Sequence, residues 1–283
     1  MKNVWIIARM TLREAIRRRI VLTGLVLGLA FLTAFSVGFH EVYSNIQHRT
    51  DGLSEAYTNV LNNESIGFLA LAGLYAVTFL SAALGALLGA DTLSGEIVSG
   101  TIQTIVSKPV RRADVVLGKW LGFAILLAFY SVLMSGGTVL SVWFQSGYVL
   151  RNFLPGLLLI YFESVLIMTI SIFYSSFLSG LATGGVVFGL YGLSFIGGWV
   201  EQIGATLQNT TAIQVGIVTS LIIPSEALWR RAAFEMQSPF SAALGFSPFG
   251  TTSVPSPLMV GYAVIYLALT LTTAINIFKH RDL

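Results

Sequence analysis

Cysteine is absent from the 283 residues, which excludes disulfides, Cys-based zinc sites and thiol catalysis. Charge is scarce too. Asp, Glu, Lys and Arg together make up 10% of the chain, against about 25% in an ordinary soluble domain. The basic residues form no field interleaved with aromatics, which argues against a nucleic-acid partner. A phosphate-cradling Gly-x-x-x-x-Gly-Lys-Ser/Thr loop is missing. Gly118-Lys119 is followed by Trp120, and Ala113 stands where the earlier glycine would be. Neither a His-Glu-x-x-His helix nor a Gly-x-Ser-x-Gly elbow occurs. The chain therefore reads as a non-enzyme without a cofactor of its own, and any chemical energy it uses comes from another polypeptide or an ion gradient.

What is there in quantity is apolar. Hydrophobic residues are 55% of the chain and mean hydropathy is +0.79. Six runs reach the roughly 20 residues a spanning helix needs: 20–39, 66–90, 120–144, 153–177, 178–200 and 258–278. Between the fourth and fifth, only Ser175, Ser176, Ser179 and Gly180 signal a turn. The fold expected is an all-α integral membrane protein, a single domain over 1–283.

Lysine and arginine in the connections set the expected orientation. With the N-terminus inside, twelve lie on the cytosolic side: Lys2, Arg9, Arg13, Arg17, Arg18, Arg19, Lys108, Arg111, Arg112, Lys119, Lys279 and Arg281. Four lie outside: Arg49, Arg151, Arg230 and Arg231. Both termini are expected in the cytosol. A cleaved signal peptide fits the first 40 residues poorly, because its apolar run would exceed the usual 7–15.

Residues 2–19 pattern as an amphipathic interfacial helix. Lys2, Arg9, Arg13 and Arg17 share one stripe, with Val4, Ile7, Ala8, Leu12 and Ala15 opposite. Residues 40–65 read as a hydrophilic outer loop, in which His40 and His48 match no standard metal spacing. Asn63-Glu64-Ser65 and Asn209-Thr210-Thr211 are formal glycosylation sequons. Within the outer region 201–257, the apolar stretch Ala212–Ile223 is too short to span and ends at Pro224, so it is expected to be re-entrant or interfacial. Small residues recur at helical spacing: Gly24 and Gly28; Ser81, Gly85 and Gly89; and Gly185, Gly189, Gly192, Gly197 and Gly198. Such rows let helices approach closely within the chain or, along part of the fifth span, at a homodimer seam.

The positive signal is the polar segment 91–119 between the second and third spans. Ile97, Ile102, Ile105 and Val106 recur at helical spacing, Glu96 lies near the start, and Pro109 closes the pattern. A short helix on the cytosolic face, with an apolar edge for a partner, fits these residues. An ordinary interhelical loop is the plainer reading.

At these residues the chain resembles a known family. Asp91, Ser94-Gly95-Glu96, Gly100-Thr101, Ser107-Lys108-Pro109-Val110-Arg111 and Gly118-Lys119 resemble the signature of ABC-2-type transporter permeases. The likeness extends to the NosY-like subgroup of nitrous-oxide-reductase maturation permeases. Trp5-Ile6-Ile7-Ala8-Arg9 with Leu12-Arg13-Glu14 is similar to the family's N-terminal elbow helix. Ile223-Pro224-Ser225-Glu226-Ala227 with Arg230 is similar to its outer Asn-Pro-x-Asp/Glu motif, with Ile223 at the asparagine position. The ending Phe278-Lys279-His280-Arg281-Asp282-Leu283 resembles its Phe-x-Arg-Arg-Asp-Leu terminus.

The resemblance implies a dimer of permeases, or of permease halves, clasped from the cytosol by two ATPase subunits, which hold ATP and Mg. It further implies a prokaryotic inner-membrane location. The coupling helix would comprise Ser94, Gly95, Glu96, Ile97, Gly100, Thr101, Ile102 and Ile105. The outer region leaves room for an extracytoplasmic partner, to which some members relay force instead of carrying a solute.

Glu163 stands deep inside the fourth run. A charge there costs a few kcal/mol or more, so the residue is neutralised or faces protein or water. It is the translocation-path candidate, with packing against a neighbouring helix as the alternative; Tyr161, Ser164 and Thr169 are its local polar company. Two other classes compete with the driven permease. A gradient-driven transporter would favour several intramembrane ionisable groups and inverted repeats. A membrane anchor or assembly scaffold would use the cytosolic helix only for docking.

Overall fold

A computed structural model describes residues 2–50, 55–90, 92–95, 111–238 and 253–280. Among them the chain is helical, with no strand. The helices are α1 (Lys2–Arg17), α2 (Arg19–Thr50), α3 (Glu55–Ala90), α4 (Arg112–Ser146), α5 (Phe153–Ser175), α6 (Gly180–Thr206), α7 (Thr210–Ile222), α8 (Ser225–Met236) and α9 (Pro257–His280). Six of them, α2 to α6 and α9, are long and apolar enough to cross a membrane.

The centre is α5. Its residues from Glu163 to Ile172 are buried without interruption, as expected of a helix that is apolar all round and enclosed by others. Helices α3, α4, α6, α8 and α9 surround it. Close approach to α3 depends on small residues. A Cβ on Gly85 would meet the Ser164 carbonyl oxygen at 2.6 Å, and one on Gly89 would meet the Met168 oxygen at 2.8 Å. Ser171 Oγ donates to the Ala86 carbonyl across the same seam at 2.6 Å.

Two expectations change in detail. The expected outer loop at 40–65 is largely helix, because α2 runs on to Thr50 and α3 starts at Glu55. Polarity ends a membrane run but not a helix. Neither extension contains proline or glycine, and Phe39 and Tyr43 pack with Ile66 and Ala70 to hold them together. The second change concerns α1. Its apolar stripe packs on α4: Ile7 sits over Gly118, and the Ala8 carbonyl and Thr11 over Gly122. Trp5, Ile6, Met10 and Ile16 are the exposed apolar residues, flanking exposed Arg9 and Arg13.

The short apolar stretch forms α7, and α8 follows at a bend of 108° around Ile223-Pro224. Pro224 removes a backbone donor and ends α7. Asn209, the first residue of one sequon, is the N-cap of α7 and accepts from the Ala212 amide at 3.2 Å. The other sequon, Asn63-Glu64-Ser65, lies inside α3. Helix α8 inserts Trp229, Ala232, Ala233 and Met236 among residues of α3 and α5.

Candidate functional site

Two constellations carry the functional argument, and α3 and α5 connect them. The first is the exit of α3. Beyond Ala90, Thr92 and Ser94 are buried. The Lys119 ammonium, on α4, donates to the Thr92 carbonyl at 3.1 Å. A cation at a helix C-terminus also complements the helix dipole. From the other side, Ser175 Oγ at the end of α5 accepts from the Leu93 and Ser94 amides, at 3.1 and 3.2 Å. The chain leaving α3 is thus tied to both α4 and α5. Of the expected coupling residues, Ser94 is buried and Gly95 half-buried. Glu96, Ile97, Gly100, Thr101, Ile102 and Ile105 lie outside the described residues.

The second is a buried acid cluster in the middle and far part of the bundle. Glu163 is 1% exposed. The Tyr191 hydroxyl, on α6, donates to Glu163 Oε1 at 3.4 Å, while Glu163 Oε2 is buried without a hydrogen-bond partner among the described residues. Its local polar company turns elsewhere. Tyr161 donates to the Ala124 carbonyl, Ser164 to the Tyr161 carbonyl, and Thr169 accepts from the Trp120 indole.

Glu226 at the start of α8 is also buried, and the Tyr75 hydroxyl on α3 lies 3.2 and 3.4 Å from its two oxygens. Trp199 Nε1 donates to that hydroxyl at 3.2 Å. Ser194 Oγ accepts from the Glu226 amide at 3.2 Å and donates to the Ile223 carbonyl at 3.0 Å, which fixes the bend between α7 and α8. Close by, Arg230 of α8 faces both carboxylate oxygens of Glu201 on α6, at 2.9 and 2.6 Å. These two residues are 1% and 4% exposed. Ser253 also donates to Glu201, at 2.7 Å.

Sequence reading singled out Glu163, and Glu226 with Arg230 as part of a motif. It placed Glu201 just beyond a span and missed Tyr75, Tyr191 and Trp199. Their signal was faint: aromatic hydroxyls and an indole N–H within apolar runs, where a buried polar tip needs a partner.

Between these tyrosines the surface is concave. A groove of about 510 Å³ runs between α2, α3 and α6. Tyr75 stacks on Phe195 with centroids 6.1 Å apart, and Phe79 packs on Tyr191 at 5.9 Å. Among the described residues, no three His, Asp or Glu side chains are grouped to hold a metal ion.

The fold and these features define a polytopic helical membrane protein with a buried polar interior. Residues 5–283 match the family model described as ABC-2 family transporter protein, and the chain belongs to that family. No curated protein matches it.

Proposed function

We propose that the chain is the membrane permease of an ATP-driven transporter, powered by a separate ATPase that docks on residues 94–105. The observation that carries this reading is the tether at the α3 exit. Lys119 and Ser175 bind Thr92, Leu93 and Ser94, so displacement of the segment beyond them would pull on α3, α4 and α5 together. Helix α5 carries Glu163, the residue we assign to the translocation path. The loop charge bias supports cytosolic termini and a cytosolic docking segment. Family membership supports an ATPase partner; two ATPase copies, a permease dimer, a prokaryotic inner membrane and the NosY-like subgroup are further parts of the proposal. Relay of force to an extracytoplasmic partner at 201–257 belongs with it.

A helix seated in a partner groove is anchored by a few apolar side chains, with charge setting its orientation. Copurification from native membranes tests the reading. The wild-type chain should bring down an ATPase, and Glu96→Arg or Ile102→Asp should weaken that association or uncouple hydrolysis while the spans still insert. Normal association and coupling in both variants would make the segment an ordinary loop.

A gradient-driven transporter is the second reading. The burial of Glu201, Glu226 and Arg230 in addition to Glu163 favours it more than the sequence did, since intramembrane ionisable groups mark ion pathways. Collapse of transport by a protonophore in ATP-replete vesicles would select it.

A further inference from the structure

The acid cluster is out of charge balance. Among the described residues, three buried carboxylates, Glu163, Glu201 and Glu226, share one buried arginine, Arg230, which is taken up by Glu201 in a two-point ion pair. The other buried cation among the described residues, Lys119, is held at the opposite part of α3 by the Thr92 carbonyl. Glu163 and Glu226 are each joined instead to a tyrosine hydroxyl, and both tyrosines, Tyr191 and Tyr75, line the groove between α2, α3 and α6. The rest of that wall, among the described residues, is aromatic and aliphatic, with Phe31, Phe79 and Phe195 prominent and no lysine or arginine.

We propose that this groove binds a lipophilic organic cation, such as a substituted ammonium or phosphonium, in front of Tyr75 and Tyr191. The proposal rests on the permease reading, in which Glu163 belongs to the translocation path, and it names the substrate class. Aromatic faces attract cations through their quadrupole, most strongly where water is excluded. A phenol that donates to a carboxylate is polarised toward a more electron-rich ring, and its hydroxyl is no longer available as a donor to an anion. Excess buried acid must be neutralised by protons or by a bound positive charge, and a cation over the two tyrosines supplies that charge. A hard metal ion is disfavoured, because such ions need six or more oxygen ligands and the groove offers two phenols.

The test uses the purified full-length chain with its ATPase in lipid nanodiscs, with empty nanodiscs as the blank. Binding of tetraphenylphosphonium is compared with that of tetraphenylborate, an anion of the same shape. Saturable binding of the phosphonium alone is expected, weakened about tenfold by Glu163→Gln and by Phe79→Leu, and less by Tyr191→Phe, which keeps the ring but loses the link to the acid. ATPase association, measured on each preparation, reports folding; if Glu163→Gln fails to assemble, Tyr191→Phe and Phe79→Leu carry the comparison. The inference is overturned if the phosphonium shows no saturable binding, if the borate binds equally well, or if the assembled variants bind like wild type. A complex that hydrolyses ATP but takes up no phosphonium removes the cation site and leaves the permease reading standing. Saturable phosphonium binding by a chain that recruits no ATPase does the reverse.

Discussion

The Lys119 ammonium on α4 donates to the Thr92 carbonyl at 3.1 Å, two residues beyond the end of α3. Lys119 is 6% exposed, and an ammonium buried to that degree is retained only where it is bonded. The contact joins the third helix to the fourth at the root of the proposed docking segment. Together with Ser175 it brings the fifth helix into the same junction.

Loss of the Ser175 acceptor should loosen that root. In Ser175→Ala the amides of Leu93 and Ser94 lose their shared partner. A lost buried hydrogen bond costs about 1–3 kcal/mol. Hydrogen exchange at those amides should speed up by about tenfold or more. Unchanged exchange would mean the tether carries no load.

The Glu201–Arg230 pair should be costly to break from one side. Arg230→Met leaves a buried carboxylate without its cation, which destabilises by about 3–5 kcal/mol. Arg230→Met with Glu201→Leu removes both charges and should recover most of that loss. Thermal unfolding followed by tryptophan fluorescence checks the cycle; equal damage in the single and double variants would contradict it.

Glycine should matter in opposite ways on two faces of α6. A Cβ on Gly216 of α7 would meet the Gly197 carbonyl oxygen of α6 at 2.7 Å, so Gly216→Ala should cost about 1–3 kcal/mol by overpacking. Gly185, Gly189 and Gly192 have nothing within 4 Å of an added Cβ. If that open face is the seam of a permease dimer, Gly189→Leu should leave the monomer's stability unchanged and weaken the dimer. Mass measurement in nanodiscs reads the second effect.

The six spans and the break at Pro224 were legible in the sequence, because run length and a missing backbone donor are local properties. The partners of the acids were not. Tyr191 meets Glu163 from another helix, 28 residues away in the chain, and no local pattern ties them. Glu201 looked like the first polar residue beyond a span. It is buried because α8 turns back after the 108° bend and carries Arg230 onto it. The apolar stripe of α1 was visible and read as interfacial; its packing on α4 was not legible. Gly118 and Gly122 on α4 let α1 approach, and a glycine pair in a distant helix says nothing about its partner.

Orientation can be tested on the cysteine-free background. A single cysteine at Ser99 should resist an impermeant maleimide in intact cells and react after permeabilisation, while one at the exposed Gln208 should react in both. Labelling of position 99 from outside would invert the assignment.

Contact between the docking segment and the ATPase is the central claim, and crosslinking tests it most directly. With Ile102→Cys as the chain's only cysteine, a short bifunctional reagent should join the permease to its ATPase in membranes, with a yield that changes when ATP is added. A cysteine at Gln208 in the same membranes should give no such product. Absence of the crosslink at 102, in a complex that still hydrolyses ATP and transports, would contradict the account.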